Sequence, residues 1–411
     1  MEKSEQRVRK TIVFVINSIG YGGAERVLSN ILNSIGARLD HYDVHLILLD
    51  NEYETRSMPD YVKKHVLDSR SSPRRSIMLL VRSLSQLRPA LVVSLLVRAN
   101  VASAIAGKFL GLPVIICERM HLSSHLESRY AGVRLWLALA APKLAYQYAR
   151  RVLGVSTGVT DDLVEHFGVE RSRAVTIFNP YDLEAIKREA SHEPEIVLPE
   201  RFIIAVGRLN RGKNFSQLIE AFLQARLQTS LVILGEGPER DNLEQLIKAY
   251  GAQERIFLPG YVRNPFSIVA KAEFFVASSI NEGFPNAMVE AMILGRPIVA
   301  SDCRSGPAEI LGGSVAPERQ AIIEAEYGIL VSERSVGALA EGMIRMNEPS
   351  MLHHYARRGE ERARQFDIAR ISQQYWTLFD EIAEKPNCFK NRQNFRHAVS
   401  RLSSDQATAM R

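Results

Sequence analysis

Strand-length apolar runs alternate with helix-compatible stretches along this chain, and the series occurs twice. Runs at 11–16, 44–49, 91–96, 114–117, 152–155 and 174–177 make up the first half. A second series follows at 202–206, 231–234, 256–258, 274–277, 297–300 and 328–331. Most of these runs are continuously apolar instead of alternating with polar residues. That is the pattern of parallel strands covered on both faces. Parallel strands need crossovers, and the intervening stretches are long enough to be helices. The polar, proline-marked segment Ser191-His-Glu-Pro-Glu-Ile-Val-Leu-Pro-Glu200 separates the two series. The chain therefore reads as α/β, with two doubly wound, Rossmann-like domains at 1–190 and 200–365 and ligands at the carboxyl ends of their strands. Helical patterning continues from 351 to 384, and residues 366–385 read as a closing helix. From Pro386 to Arg411 the chain is polar and basic, as expected of a disordered tail.

Other classes fall away on simple grounds. The three cysteines, Cys117, Cys303 and Cys388, are far apart and form no CxxC pair, so neither a disulfide scaffold nor a structural zinc site is indicated. No apolar run reaches bilayer-spanning length. The basic start followed by 11–16 could pass for a signal peptide, but Asn17 and the glycine-rich turn end the run too soon. Charge is divided unevenly: residues 1–180 hold 24 Lys and Arg against 16 Asp and Glu, a balance of +8 within a whole-chain +6. An acidic partner for the first half follows, whether a membrane surface, a phosphorylated acceptor or nucleic acid.

Three loops at strand ends carry candidate chemistry. The first, Asn17-Ser-Ile-Gly-Tyr-Gly-Gly-Ala-Glu-Arg26, could bring backbone close to a phosphate at a helix N-terminus. As a dinucleotide fingerprint it is defective, because Glu25 stands where the third glycine belongs. Asp50 after the second strand mimics the acidic ribose ligand of such enzymes. The second loop, Val206-Gly-Arg-Leu-Asn-Arg-Gly-Lys-Asn-Phe215, sets Arg208 and Lys213 around a turn, a sound arrangement for a diphosphate. The third, Asn281-Glu-Gly-Phe-Pro-Asn-Ala-Met-Val-Glu290, places Glu282 before a helix start and Glu290 inside the helix. Pro285 is expected at its first position. Free N–H groups at Phe284, Asn286 and Ala287 between two carboxylates suit a polyhydroxyl ligand.

Taken in order, Gly22-Gly23-Ala-Glu-Arg26, Gly207-Arg208 with Lys213-Asn214, the Leu234-Gly-Glu-Gly-Pro238 turn, and Glu282 with Glu290 resemble glycosyltransferase family 4. The resemblance covers nearly the whole chain up to about residue 385. It implies a GT-B fold: two Rossmann-like domains facing a cleft, with the C-terminal helix crossing back to the first. It also implies a retaining, metal-independent hexosyltransferase using a nucleotide-sugar donor and no cofactor. No Asp-x-Asp motif occurs in the chain.

Carried to these positions, the resemblance makes Arg208 and Lys213 the holders of the donor diphosphate and Glu290 the ligand of the ribose hydroxyls. Glu282 would contact the transferred sugar, as catalytic nucleophile only if it lies beneath the ring. Backbone at Gly283, Phe284, Pro285 and Asn286 would complete the sugar pocket, and Gly22 and Gly23 would admit a phosphate or the acceptor. His121, in Cys117-Glu-Arg-Met-His121, falls where relatives place a donor-contacting residue, with Arg119 competing for that role. Front-face attack and a covalent intermediate both remain open.

Residues 301–310 resemble members using UDP-linked galactose- or glucosamine-type sugars in bacterial surface polysaccharide synthesis. The partners implied are a UDP-sugar and a glycan or polyprenyl-linked saccharide acceptor, with no nucleic acid. The implied location is cytoplasmic, peripheral on an anionic inner membrane. On the acceptor side, 133–151 joins an apolar stretch to basic ends. Its apolar residues are expected to pack within the first domain, leaving Arg134, Arg150 and Arg151 open. Rival readings are a sugar phosphorylase or UDP-sugar epimerase of the same fold and, more distantly, a nicotinamide-dependent oxidoreductase.

Overall fold

The computed structural model describes residues 9–20, 22–52, 57–313 and 321–385; the tail expected after Pro386 lies outside them. The first sheet holds β1 (Lys10–Ile16), β2 (Tyr42–Leu48), β3 (Lys63–Val66), β4 (Leu91–Leu95), β5 (Val114–Glu118), β6 (Arg151–Gly154) and β7 (Ala174–Thr176). Their spatial order is β3-β2-β1-β4-β5-β6-β7, with parallel pairing throughout. The second sheet holds β8 (Phe202–Val206), β9 (Ser230–Leu234), β10 (Ile256–Gly260), β11 (Phe275–Ala277), β12 (Ile298–Ser301), β13 (Ile322–Ala325) and β14 (Gly328–Val331). Its order is β10-β9-β8-β11-β12-β14-β13; β13 runs antiparallel to β14.

The twelve apolar runs all become strands, the central ones because two-sided burial demands apolar residues at every position. Ile12 through Ile16 in β1 are fully buried on both faces. β3 and β13 went unpredicted for the converse reason. Lys63-Lys-His-Val66 is an edge strand of exposed and half-exposed residues, and β13 closes the opposite sheet with Glu324 turned outward. Edges leave one side to solvent, so they need no apolar run.

In each sheet the first strand sits between the second and the fourth, so the chain reverses its direction of progress there. Crevices open at such switch points, at the carboxyl ends of β1 and β4 and of β8 and β11. The helix Ile368–Glu384 crosses back to the first sheet. Trp376 and Phe379 are fully buried, stacked edge-on against Phe14 of β1. Trp376 Nε1 donates to the Ile31 carbonyl at 3.1 Å, and Arg38 and Tyr42 both bond Asp380 at 2.8 Å. The GT-B arrangement implied by the motifs is present.

Candidate functional site

The loops after β8 and β11 are tied together at the second switch point. Ile280 N–H donates to the Gly212 carbonyl at 2.9 Å, and the Ser278 hydroxyl to the Lys213 carbonyl at 2.8 Å. Asn210 caps the short turn by accepting from Lys213 N–H at 3.1 Å. Lys213 then folds back over Gly207, where an added Cβ would lie 2.9 Å from its Cε. Its Nζ reaches Glu282 Oε1 at 2.5 Å. The Leu234-Gly-Glu-Gly-Pro238 turn explains itself in the same place. Gly235 has φ +142, and a Cβ there would collide with the Gly207 carbonyl at 1.9 Å. That turn backs the cationic loop and holds it still. Arg208 is exposed and forms no ion pair among the described residues. The crevice therefore carries one neutralised and one uncompensated cation.

The helix Asn286–Ile293 begins one residue later than expected. Pro285, with ψ 99, occupies the cap and not the first turn. Its two flanking carboxylates go to different partners. Glu282 takes Lys213, while Glu290 is buried and ion-paired with Arg26 of the first half. Attraction to Glu290 raises the Arg26 pKa further, in spite of burial. The Arg26 guanidinium also lies 5.5 Å from the centre of the Phe266 ring. Arg26, Tyr181, Arg263, Phe266 and Glu290 line a cavity of about 490 Å³.

Gly23, Gly283 and Asn286 meet between the two halves, whereas a Cβ at Gly22 would meet the Glu25 carboxylate of its own loop. A Cβ at Gly23 would stand 2.6 Å from Asn286 Nδ2, and one at Gly283 would strike the Arg119 carbonyl at 2.1 Å. Both glycines thus permit the two halves to touch. Asn286 Oδ1 accepts from Asn179 and from the Tyr181 hydroxyl, each at 2.6 Å. Phe284 is buried and stacks on Phe178 with ring centroids 5.2 Å apart. Phe284 is thus committed to packing, leaving only its backbone for a ligand.

His121 is 7% exposed. It accepts or donates through Nδ1 with the Ser124 and Ser123 hydroxyls at 3.0 and 3.3 Å, and lies 3.7 Å from Asp162. Burial lowers its pKa, with Asp162 opposing and Arg304 of the second half reinforcing. That makes it a held imidazole immediately before the helix Leu122–Glu127, near enough to Arg304 to feel its charge. Arg119 is no substitute, since its guanidinium is spent on Asn179 and on the Tyr375 hydroxyl.

The first switch point is charged yet internally satisfied. Asp50 is enclosed by Arg98, by the Ser69 hydroxyl at 2.8 Å and by Ser71 N–H at 2.9 Å. Burial opposes its charge, but these partners win and bring its carboxyl down to about 2. An acid so occupied has no valence left for a cofactor ribose. Glu118 is buried, bonded by Asn100 at 2.8 Å and by Tyr146. Burial lifts it to about 7 against those bonds. Between this floor and Arg208 lies a cavity of about 850 Å³ whose outer wall includes Arg129, Tyr130, Ala138, Ala141 and Pro142.

The structure thus joins Lys213 to Glu282 at the second switch point, with Arg208 of the same loop lining the larger cavity and Glu290 the smaller one. Sequence reasoning passed over Arg26, Asn179 and Tyr181. Arg26 stood in the glycine motif itself, but nothing local reveals a partner 264 residues away.

The family described as Glycosyltransferase Family 4 matches residues 21–185, and that described as Glycosyl transferases group 1 matches residues 186–365. The chain is 29% identical over 372 residues to the N-acetylgalactosamine-N,N'-diacetylbacillosaminyl-diphospho-undecaprenol 4-alpha-N-acetylgalactosaminyltransferase of Campylobacter jejuni, covering 87% of this chain and 96% of that one. It is 28% identical over 165 residues to a lipopolysaccharide 1,6-galactosyltransferase of Escherichia coli, covering 39% of this chain and 45% of that one. Among solved structures, Anabaena HepE in complex with UDP and glucose superposes with a TM-score of 0.70 at 19% identity, covering 91% of this chain and 100% of that one.

Proposed function

This chain is a glycosyltransferase, a member of family 4 of the group 1 type, and we propose that it is a retaining, metal-independent hexosyltransferase. Its donor is a UDP-linked hexose or N-acetylhexosamine. Its acceptor is a polyprenyl-diphosphate-linked saccharide at the cytoplasmic face of a bacterial inner membrane, and its product serves surface polysaccharide synthesis. The observation carrying this reading is the crevice of Arg208, Lys213 and Glu282 at the second switch point. The relative acting on a diphospho-undecaprenol acceptor and the fold neighbour holding UDP and glucose support the substrate classes.

As the bond from the anomeric carbon to the phosphate oxygen breaks, negative charge grows on the leaving diphosphate. Arg208 and Lys213 stabilise that charge, which side-chain cations can do in place of a metal. Lys213 is already held by Glu282, so it needs no reorientation when the diphosphate arrives. Glu282 then faces the sugar, and its hydrogen bonds orient the hydroxyls. The new bond forms from the acceptor oxygen on the same face, and the acceptor's proton leaves with the phosphate. Glu290, in the neighbouring cavity, holds the ribose hydroxyls and is itself oriented by Arg26.

The two acids should separate by experiment. Glu282→Gln is expected to leave UDP affinity within about twofold while kcat falls at least 100-fold, the scale of losing a transition-state contact. Loss of UDP affinity equal to the loss in turnover would show that the labour is divided otherwise. The anomeric configuration of the product, read by NMR, tests retention.

A further inference from the structure

The helix Gly132–Tyr146 does not bury its apolar residues in the way its composition suggests. Only Pro142, Ala145 and Tyr146 are buried. Val133, Trp136, Leu137 and Leu144 are 76, 67, 56 and 62% exposed. They stand three, four and eleven residues after Val133, the spacing of one helical stripe. The expectation that these residues pack within the first domain is therefore wrong for that face. Its other flank is engaged, because Ala138, Ala141 and Pro142 wall the large cavity that ends at Arg208. A continuous apolar stripe in solvent marks a contact surface.

Charge says what covers it. From Ser128 to Arg151 the sequence has five Lys and Arg and no acid. Arg129, Arg134 and Lys143 form no ion pair among the described residues. Lys108, from the neighbouring helix Val97–Leu110, lies 3.4 Å from the centre of the Tyr148 ring, adding a cation at the C-terminal end. An apolar stripe on a segment that carries cations and no acid fits an anionic lipid surface, where the stripe enters the interface and the cations meet headgroups. No helix among the described residues is long and apolar enough to cross a membrane, so this one lies in the interfacial plane.

We propose that Val133, Trp136, Leu137 and Leu144, fringed by Arg129, Arg134 and Lys143, form a docking face for an anionic bilayer, placing the mouth of the cavity at the lipid surface. The proposal rests on the lipid-linked acceptor assigned above. It adds the orientation: the acceptor's anionic head passes Arg129 into the cavity while its lipid chain stays in the membrane beside the stripe.

Two tryptophans make the test direct, since Trp376 is fully buried and Trp136 is exposed. Full-length protein is titrated with phosphatidylglycerol–phosphatidylethanolamine vesicles and with phosphatidylcholine vesicles, at low and high salt. Expected are flotation and a blue shift of Trp136 emission with the anionic vesicles, reduced by salt. The Val133→Ser/Leu137→Ser variant should bind those vesicles at least about tenfold more weakly, as expected for lost interfacial anchors. It should keep its UDP affinity and its turnover on a short-chain, water-soluble acceptor. No flotation or shift at low salt, or equal vesicle binding by the variant, overturns the proposal. So does a variant that loses self-association in ultracentrifugation while still binding vesicles. Vesicle binding by a wild type that transfers from no UDP-sugar would instead sink the assigned reaction and leave the docking face standing.

Discussion

At the carboxyl end of the first sheet, Asp50 is enclosed by Arg98, Ser69 and Ser71, whereas after the first strand of the second sheet Arg208 is exposed, forms no ion pair among the described residues and lines the large cavity from the opposite side. The sheets share the order and parallel pairing of their first five strands and the switch point, so topology alone would offer either crevice to a phosphorylated ligand. Charge pairing separates them. Arg98 is paired with Asp50, Arg119 donates to Asn179 and to Tyr375 of the closing helix, and Asn286 stands against Gly23 of the loop after β1. In the second sheet, the one internal acid beside Lys213 is Glu282, which a sugar would also need. Arg98 is neutralised by a buried acid of its own half, whereas Arg208 has no such acid among the described residues and is open to an anion.

That contrast breaks most easily at Lys213. Lys213→Ala removes a charge that meets the leaving diphosphate and strands Glu282, and kcat should drop about 100- to 1000-fold. Steady-state kinetics with the donor at saturation measure it. A loss of under tenfold would mean that Lys213 is only an anchor for its loop.

A smaller effect should appear in the first crevice as stability and not as turnover. Burial raises the Glu118 carboxyl to about 7 from 4.5. Below about pH 4.5 the folded and unfolded chains are both protonated there, so the group has no influence. As pH climbs towards 7 the unfolded chain ionises first, and wild-type stability falls. Glu118→Gln should therefore exceed the wild type by on the order of 1–3 kcal/mol near pH 8, with the difference vanishing near pH 4.5. Denaturant melts at the two pH values read this directly. A gain equal at both would remove the titration from the explanation.

Much of this was legible beforehand, for identifiable reasons. Buried parallel strands require uninterrupted apolar residues, so the central strands could be placed; of the four edge strands, β7 and β10 kept apolar runs while β3 and β13 did not. Arg208, Lys213, Glu282 and Glu290 could be named because short-range motifs fix loops at strand ends. What the sequence hid was which groups meet across the cleft. Arg26 with Glu290, Asn286 with Asn179 and Tyr181, and Gly283 under the Arg119 carbonyl all join residues far apart in the chain. The exposed stripe of 133–144 was hidden too, since apolarity shows that a face seeks cover without showing whether the protein supplies it.

The central claim is that the second crevice, and not the first, binds the nucleotide. Calorimetric titration of UDP without added divalent metal tests it, comparing wild type, Arg208→Ala and Asp50→Asn. The account predicts at least tenfold weaker binding for Arg208→Ala, consistent with loss of a charge-assisted hydrogen bond of about 1.5–3 kcal/mol. It predicts affinity within about twofold for Asp50→Asn, whose charge is already satisfied. Unchanged affinity in Arg208→Ala together with weakened binding in Asp50→Asn would contradict it.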